Sequence, residues 1–184
     1  MTTPSNQVLQ RIWQSLQEAT TRSTGMTLSF LGTVGLDGGP RVRGIILRKF
    51  QEDPQRLYFA THIHSDKVAE IHRTPQVALT GNDSEHNVQL RIEGHARIVK
   101  DPVLRQHAWE SLAPHSQQLY ASASVPGAPD DAAPQDHESS AFDRFTWVEI
   151  ECERLDWLDL SAEPQERWKF SRDANAWHGQ RIVP

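Results

Sequence analysis

One cysteine, Cys152, stands in 184 residues, so no internal disulfide can form, no cysteine-based zinc framework exists, and a reducing, cytoplasmic setting is expected. No apolar run approaches the ~20 residues that span a bilayer, and residues 1–22 mix polar groups among the apolar ones. Neither a transmembrane helix nor a signal peptide is therefore expected, and no membrane partner. Positive charge is scarce as well: the formal net charge is −5 and the basic residues are scattered. That balance opposes the phosphate field of nucleic acid and disfavours a DNA or RNA binder, although a few local arginines can still grip a small phosphorylated ligand. Also missing are a Gly-rich dinucleotide fingerprint, a phosphate loop ending in Lys-Ser or Lys-Thr, and the nucleophile elbow of serine hydrolases. His62 and His64 stand two apart with no third ligand at characteristic spacing, and nine histidines in the chain make such a pair unremarkable, so no metal is expected.

What is present reads as one domain over residues 1–184. After Pro4 and Ser5, Val8, Leu9, Ile12, Trp13, Leu16 and Ala19 recur at three- and four-residue intervals, predicting an amphipathic helix to about Arg22. Met26 to Val34 and Arg41 to Phe50 are β-branched, aromatic and apolar, and Asp37-Gly38-Gly39-Pro40 between them supplies a tight hairpin turn. Arg56 to Thr61 reads as a third strand, Ser65 as the cap of a short helix through Ile71, and Gln76 to Thr80 as a strand before a polar turn at 81–85. Val88 to Val99 alternates as a long strand interrupted at Gly94, where barrels bend or bulge. Val103 to Leu112 and Pro114 to Tyr120 look helical, and 122–140 is a loop rich in Ala, Pro, Ser and Asp that cannot repay ordering by burial. It is either a lid or a surface insertion. Phe145 to Leu160 carries one or two strands, and a last hairpin turns at Asp173-Ala174-Asn175. Strands joined by tight turns, with helices at the start and middle, predict an α+β fold on a small antiparallel barrel.

Two segments carry the chemistry. Arg43-Gly44-Ile45-Ile46-Leu47-Arg48 sets a guanidinium at each end of an apolar strand, with a glycine where a ligand can approach the backbone. By itself this also describes a half-buried strand with surface arginines. Leu57 to Thr61 ends in a hydroxyl, and Ser65-Asp66-Lys67 opens a helix whose first amides and positive dipole end favour a phosphate. Ser65 alone is equally a plain helix cap.

Taken in order, Arg43 to Arg48, Ala60-Thr61, Ser65-x-Lys67 and Gln89-Leu90-Arg91-Ile92-Glu93-Gly94 resemble the pyridoxamine 5'-phosphate oxidase family of FMN-binding split barrels. The likeness continues at Ser116-Gln117, at Trp157 ten residues before Arg167, and at the ending Ala176-Trp177 to Pro184. It is similar above all to the family's FMN-binding-domain branch, and it implies an antiparallel split β-barrel with peripheral helices. Carried over, it implies that Arg43 and Lys67 neutralise the FMN phosphate with Thr61 and Ser65 as donors beside Ala60. Residues Gly44, Ile45, Ile46 and Leu47 would lie along the isoalloxazine ring toward Arg48, and Gln89 would reach its polar edge. Trp157 and Arg167 would complete the pocket from the partner of a homodimer. Replacing Arg43 and Lys67 together by alanine is expected to weaken FMN binding while leaving the fold intact.

The chain also departs from the family. The arginine that precedes the helix lysine is Asp66 here, and the residues that grip the vitamin B6 substrate correspond to Ala108, Leu112, Glu163 and Gln165. A phosphorylated pyridoxamine would meet an acid where it needs a cation, so a different substrate is expected. The expected function is an FMN-dependent oxidoreductase with no assigned catalytic side chain. The alternative is a non-catalytic flavin carrier or sensor, or a haem module using His62, His64 or His95.

Overall fold

The computed structural model describes residues 3–129, 131, 139–174 and 176–184. Along the chain these form α1 (Pro4–Thr21), β1 (Leu28–Val34), β2 (Pro40–Gln51), β3 (Arg56–His62), α2 (Asp66–Arg73), β4 (Gln76–Asp83) and β5 (Val88–Ile98). There follow α3 (Pro102–Glu110), α4 (Pro114–Gln118), α5 (Ala141–Arg144), β6 (Phe145–Asp159), β7 (Glu166–Asp173) and β8 (Ala176–Ile182). The strands make one antiparallel sheet in the order β3-β2-β1-β4-β5-β6-β7-β8, and a further pairing of β3 with β6 closes the first six into a barrel. The predicted antiparallel barrel with peripheral helices is thus the fold found.

Closure depends on the length of β6. Phe145 to Glu151 pair with β3, whereas Arg154 to Asp159 pair with β7, so one strand both seals the barrel and carries the last hairpin out of it. Opposite that switch, the β5–β6 register shifts between Glu93 and Gly94. A Cβ at position 94 would run into the Glu151 carbonyl, which is why glycine sits at this bulge. The predicted interruption at Gly94 is therefore a close backbone approach.

Strand alternation sorts the apolar residues. Leu31, Ile45, Leu47, Leu57, Phe59, Leu79, Leu90, Ile92, Val148 and Ile150 turn into the barrel. The amphipathic face of α1 joins them, with Trp13 stacked on Phe50 at 5.6 Å and edge-on to Trp177 at 5.7 Å. Thr3 caps that helix, its hydroxyl accepting from the Asn6 amide. Cys152 lies in this core, and burial pushes its thiol up to about 12. On the outside of β3 and β6 a second cluster gathers Tyr58, Phe145 and Trp147 under Ala108, Leu112 and Tyr120.

Three boundaries differ from the sequence reading. β4 runs through the expected 81–85 turn to Asp83, because Gly81, Asn82 and Asp83 stay in register with Leu90, Gln89 and Val88. Phe145 to Asp159 is a single strand, and α5, closed by a capping box of Ser140 and Asp143, precedes it. Within the expected 122–140 loop, 122–129 contain neither helix nor strand. Residues 130 and 132–138, on which the lid reading falls, lie outside the described residues.

Candidate functional site

The predicted site residues fall in three places. The first is the end of the barrel beneath α2. Arg43 projects inward like Ile45 and Leu47, and at the barrel end it meets Glu70, one helical turn beyond Lys67 on α2. Arg43 Nη2 donates to Glu70 Oε2 at 2.7 Å, and the Thr33 hydroxyl, itself bonded to Arg43 Nη1, donates to the same oxygen at 2.6 Å. Glu70 is only 3% exposed. Beside this pair, Lys67 Nζ donates to the Thr61 hydroxyl at 3.0 Å, and the Thr61 and Ser65 hydroxyls lie 3.1 Å apart. Burial, and next the nearby Arg43 charge, hold the Lys67 ammonium below the ordinary lysine range.

The structure thus brings together Arg43, Thr61, Ser65 and Lys67, four of the residues expected at a phosphate. It also refines the reading of Ser65, which occupies the N-cap of α2 but makes no side-chain cap bond. Its hydroxyl is turned to Thr61, and while the Val68 amide donates to the Ser65 carbonyl, no side chain among the described residues caps the start of the helix. Two residues here escaped the sequence reading. Glu70 had a signal, the Lys67-x-x-Glu70 spacing that sets both on one helical face. Thr33 had none, because only the strand register delivers it. Glu70 bears on the expectation that the fold tolerates loss of Arg43 and Lys67 together, because its buried carboxylate is paired with the Arg43 guanidinium.

The second place is the bulge of β2, where the register with β3 shifts between Leu47 and Lys49. Arg48 Nη2 lies 3.4 Å from the Ser116 hydroxyl on α4, at the opposite end of the Gly44–Leu47 segment from Arg43. Tyr120 is near, its phenol pushed up to about 12 by burial. Ala60 faces the second apolar cluster rather than the phosphate-end cluster.

The third is the outer face of β5 to β7. Gln89 pairs with Leu158 and Leu158 with Arg167, so Gln89 and Arg167 share one row, about two strand spacings or 10 Å apart. Arg167 is held by Asp156 through two bonds, Nε to Oδ1 at 3.0 Å and Nη2 to Oδ2 at 2.8 Å. The guanidinium keeps the Asp156 carboxyl below its usual range. Trp157 does not reach this face: it is 3% exposed and belongs to the core, as do Ile45 and Leu47. Of the four apolar side chains expected beside the flavin, Ile45, Ile46, Leu47 and Trp157, all but Ile46 are therefore turned into the barrel by alternation. Outward instead come Ile46, Gly44 and Val42 of β2 beside Leu28, Phe30 and Gly32 of β1, an exposed apolar strip in which Phe30 is 52% accessible.

Of the histidines considered as metal or haem ligands, His62 and His64 are neighbours with ring centroids 5.6 Å apart. His62 is buried and accepts from the His64 amide, His64 is exposed, and His95 pairs with Glu153 at 2.7 Å. No helix among the described residues is long and apolar enough to cross a membrane.

Comparison with known proteins places this geometry in context. The model of the pyridoxamine 5'-phosphate oxidase family matches residues 16–157. A pyridoxine/pyridoxamine 5'-phosphate oxidase of Erythrobacter litoralis is 31% identical over 154 residues, covering 83% of this chain and 70% of the relative. Its counterpart numbered 2 in Arabidopsis thaliana is 26% identical over 172 residues, covering 84% and 85%. Among solved structures, a pyridoxamine 5'-phosphate oxidase-related, FMN binding protein of Nostoc punctiforme superposes with a TM-score of 0.77 at 23% identity, over 99% of this chain and 98% of that one. PhzG of Burkholderia lata, in complex with tetrahydrophenazine-1-carboxylic acid, gives 0.74 at 20% identity, over 98% and 94%. Those two likenesses are likenesses of fold.

Proposed function

The chain belongs to the pyridoxamine 5'-phosphate oxidase family, and from that premise we propose that it binds FMN between two copies of itself and serves as a flavin-dependent oxidoreductase. The carrying observation is the pair of cations, Arg43 and Lys67, set with two hydroxyls beside the uncapped start of α2. Those groups fit a phosphate dianion, and Lys67, which donates a single hydrogen bond among the described residues, has donor capacity to spare. FMN, when bound, supplies hydride chemistry that no side chain here would supply. The protein's part is to hold and orient it and to keep water away.

Charge-assisted bonds contribute only about 1.5–3 kcal/mol each, which association costs largely consume, so the ring must be buried too. One chain alone separates the phosphate end from Gln89 and Arg167. That separation, with the exposed strip of Leu28, Phe30, Val42 and Ile46, supports a homodimer in which a second copy covers the strip and completes the site. A substrate other than pyridoxamine 5'-phosphate is supported by Ala108 and Leu112, buried and apolar, and by the acid Glu163. The same absent grip favours the second reading, a flavin carrier or sensor. Sustained reoxidation of reduced FMN by oxygen or a quinone supports the enzyme, and its failure across a broad panel supports the carrier.

The test is titration of FMN into wild type and Lys67→Met across pH. Loss of one charge-assisted contact is expected to weaken binding about 10- to 100-fold at neutral pH. Only protonated Lys67 attracts the dianion, so wild-type affinity should fall as pH rises through its lowered pKa. The variant should lack that alkaline decline. Equal curves for the two proteins would refute the phosphate assignment.

A further inference from the structure

We propose that a groove on the outside of β2, β3, β6 and β5, walled on one side by α3, binds a small organic anion with an apolar body. Its volume is about 930 Å³, within the range of small-molecule sites. Pairing across four strands lays Lys49, Tyr58, Glu149 and Arg97 in one row of its floor, with Arg56 alongside.

The charge balance of the groove is opposite to that of the molecule. In a chain of net charge −5, the groove is lined by Arg48, Lys49, Arg56, Arg97 and Lys100 against the carboxylates Glu149 and Asp101. Both carboxylates are already engaged. Glu149, buried, accepts from Arg97 Nε at 2.8 Å and from the Tyr58 hydroxyl at 2.9 Å, and lies 3.3 Å from Arg56 Nε. Asp101 caps α3, accepting from the Val103 and Leu104 amides at 2.8 and 3.1 Å. Arg48, Lys49 and Lys100 have no carboxylate partner among the described residues. Lys49 instead sits 5.3 Å from the Tyr58 ring centroid. Uncompensated cations in a concave site favour an anion. The wall beside them is apolar, formed by Ile98, Val99 and Leu104, the last 52% exposed, so the ligand carries an apolar body.

This groove is separate from the phosphate cluster, since Arg43, Thr61, Ser65 and Lys67 do not line it. Arg48, at the expected flavin site, and Ala108, at a position that the resemblance gives to the B6 substrate, also line its edge, whereas Lys49, Arg56, Arg97 and Lys100 belong to neither, and the inference does not depend on flavin binding.

Naphthalene-2-carboxylate and its neutral analogue naphthalene-2-carboxamide serve as probes, titrated calorimetrically into wild type with and without saturating FMN. The carboxylate is expected to bind saturably, once per chain, and at least 10-fold more tightly than the carboxamide. Lys49→Ala/Lys100→Ala changes two exposed residues outside the phosphate cluster. It is expected to weaken the carboxylate at least 10-fold while leaving FMN affinity and the circular dichroism spectrum unchanged. No saturable binding, equal binding of the two probes, or an unaltered carboxylate affinity in the double variant would overturn the proposal.

Discussion

Beneath α2, Glu70 receives Arg43 and Thr33 with its carboxylate almost closed to solvent at 4% exposure, although the Arg43 side chain is 23% exposed. On the outer face, Asp156 receives Arg167 through two well-formed bonds, with side chains 15% and 21% exposed. Residue types and distances are nearly the same in the two regions, yet their energetic weight differs. Removing one partner of a buried pair strands an uncompensated charge, whereas at a more accessible pair water replaces what is lost. The two arginines are about equally exposed, so burial of the carboxylate, more than hydrogen-bond geometry, decides which pair the fold depends on. Arg43 is tied to a buried carboxylate, whereas Arg167 is held by a carboxylate that water also reaches.

The sharpest way to break this comparison is Arg43→Ala. It should destabilise the protein by about 3–5 kcal/mol in urea unfolding, as expected for one partner lost from a buried pair. The double variant Arg43→Ala/Glu70→Ala should recover part of that loss. If the single variant costs less than 1 kcal/mol, the two regions are alike and the distinction fails. A smaller effect is expected from Phe30→Ala on the outer strip: about 1.5–3 kcal/mol of apolar contact per protomer, read as a weaker dimer in sedimentation with monomer stability retained. An unchanged association constant would remove the strip from the interface. Smallest of all, Asp156→Asn should cost at most about 1 kcal/mol. Asp156 titrates below its usual range because of Arg167, so its contribution is present above the ordinary aspartate pKa and is lost as pH falls through the lowered one.

Lys67 sharpens the same contrast with an opposite sign. Its folded-state pKa is depressed, so between that value and the ordinary lysine pKa the unfolded chain binds more protons. Stability of the ligand-free protein should therefore rise with pH in the window where FMN affinity falls.

Much of this was legible beforehand because it rests on local chemistry. Alternation in Val88 to Ile98, the glycine at the bulge, the Gly38 turn with φ of +85° and the heptad-like face of α1 each depend on neighbours a few residues away. The order of Arg43, Thr61, Ser65 and Lys67 was equally visible. Less visible was which side of the sheet each residue takes. Ile45, Leu47 and Trp157 were expected at a ligand, and the strand pleat turns their side chains into the core. Thr33 and Glu70 were overlooked because they are brought to Arg43 by contacts spanning 10 and 27 positions.

From residue types and spacing alone follow the class of fold, the positions of most turns and a lysine at the start of a short helix, and the family resemblance adds the expectation that Ala108, Leu112, Glu163 and Gln165 do not grip a B6 substrate. These are properties of short segments, set by backbone preference, periodicity and charge. The tertiary structure decided that Glu70 shares Arg43, that Arg48 belongs to a different place from Arg43, that Arg167 lies opposite Trp157 across the sheet, and that a basic groove opens over Tyr58 and Glu149. Those outcomes rest on strand register and barrel closure, which join residues far apart in the chain through the summed burial of the whole core.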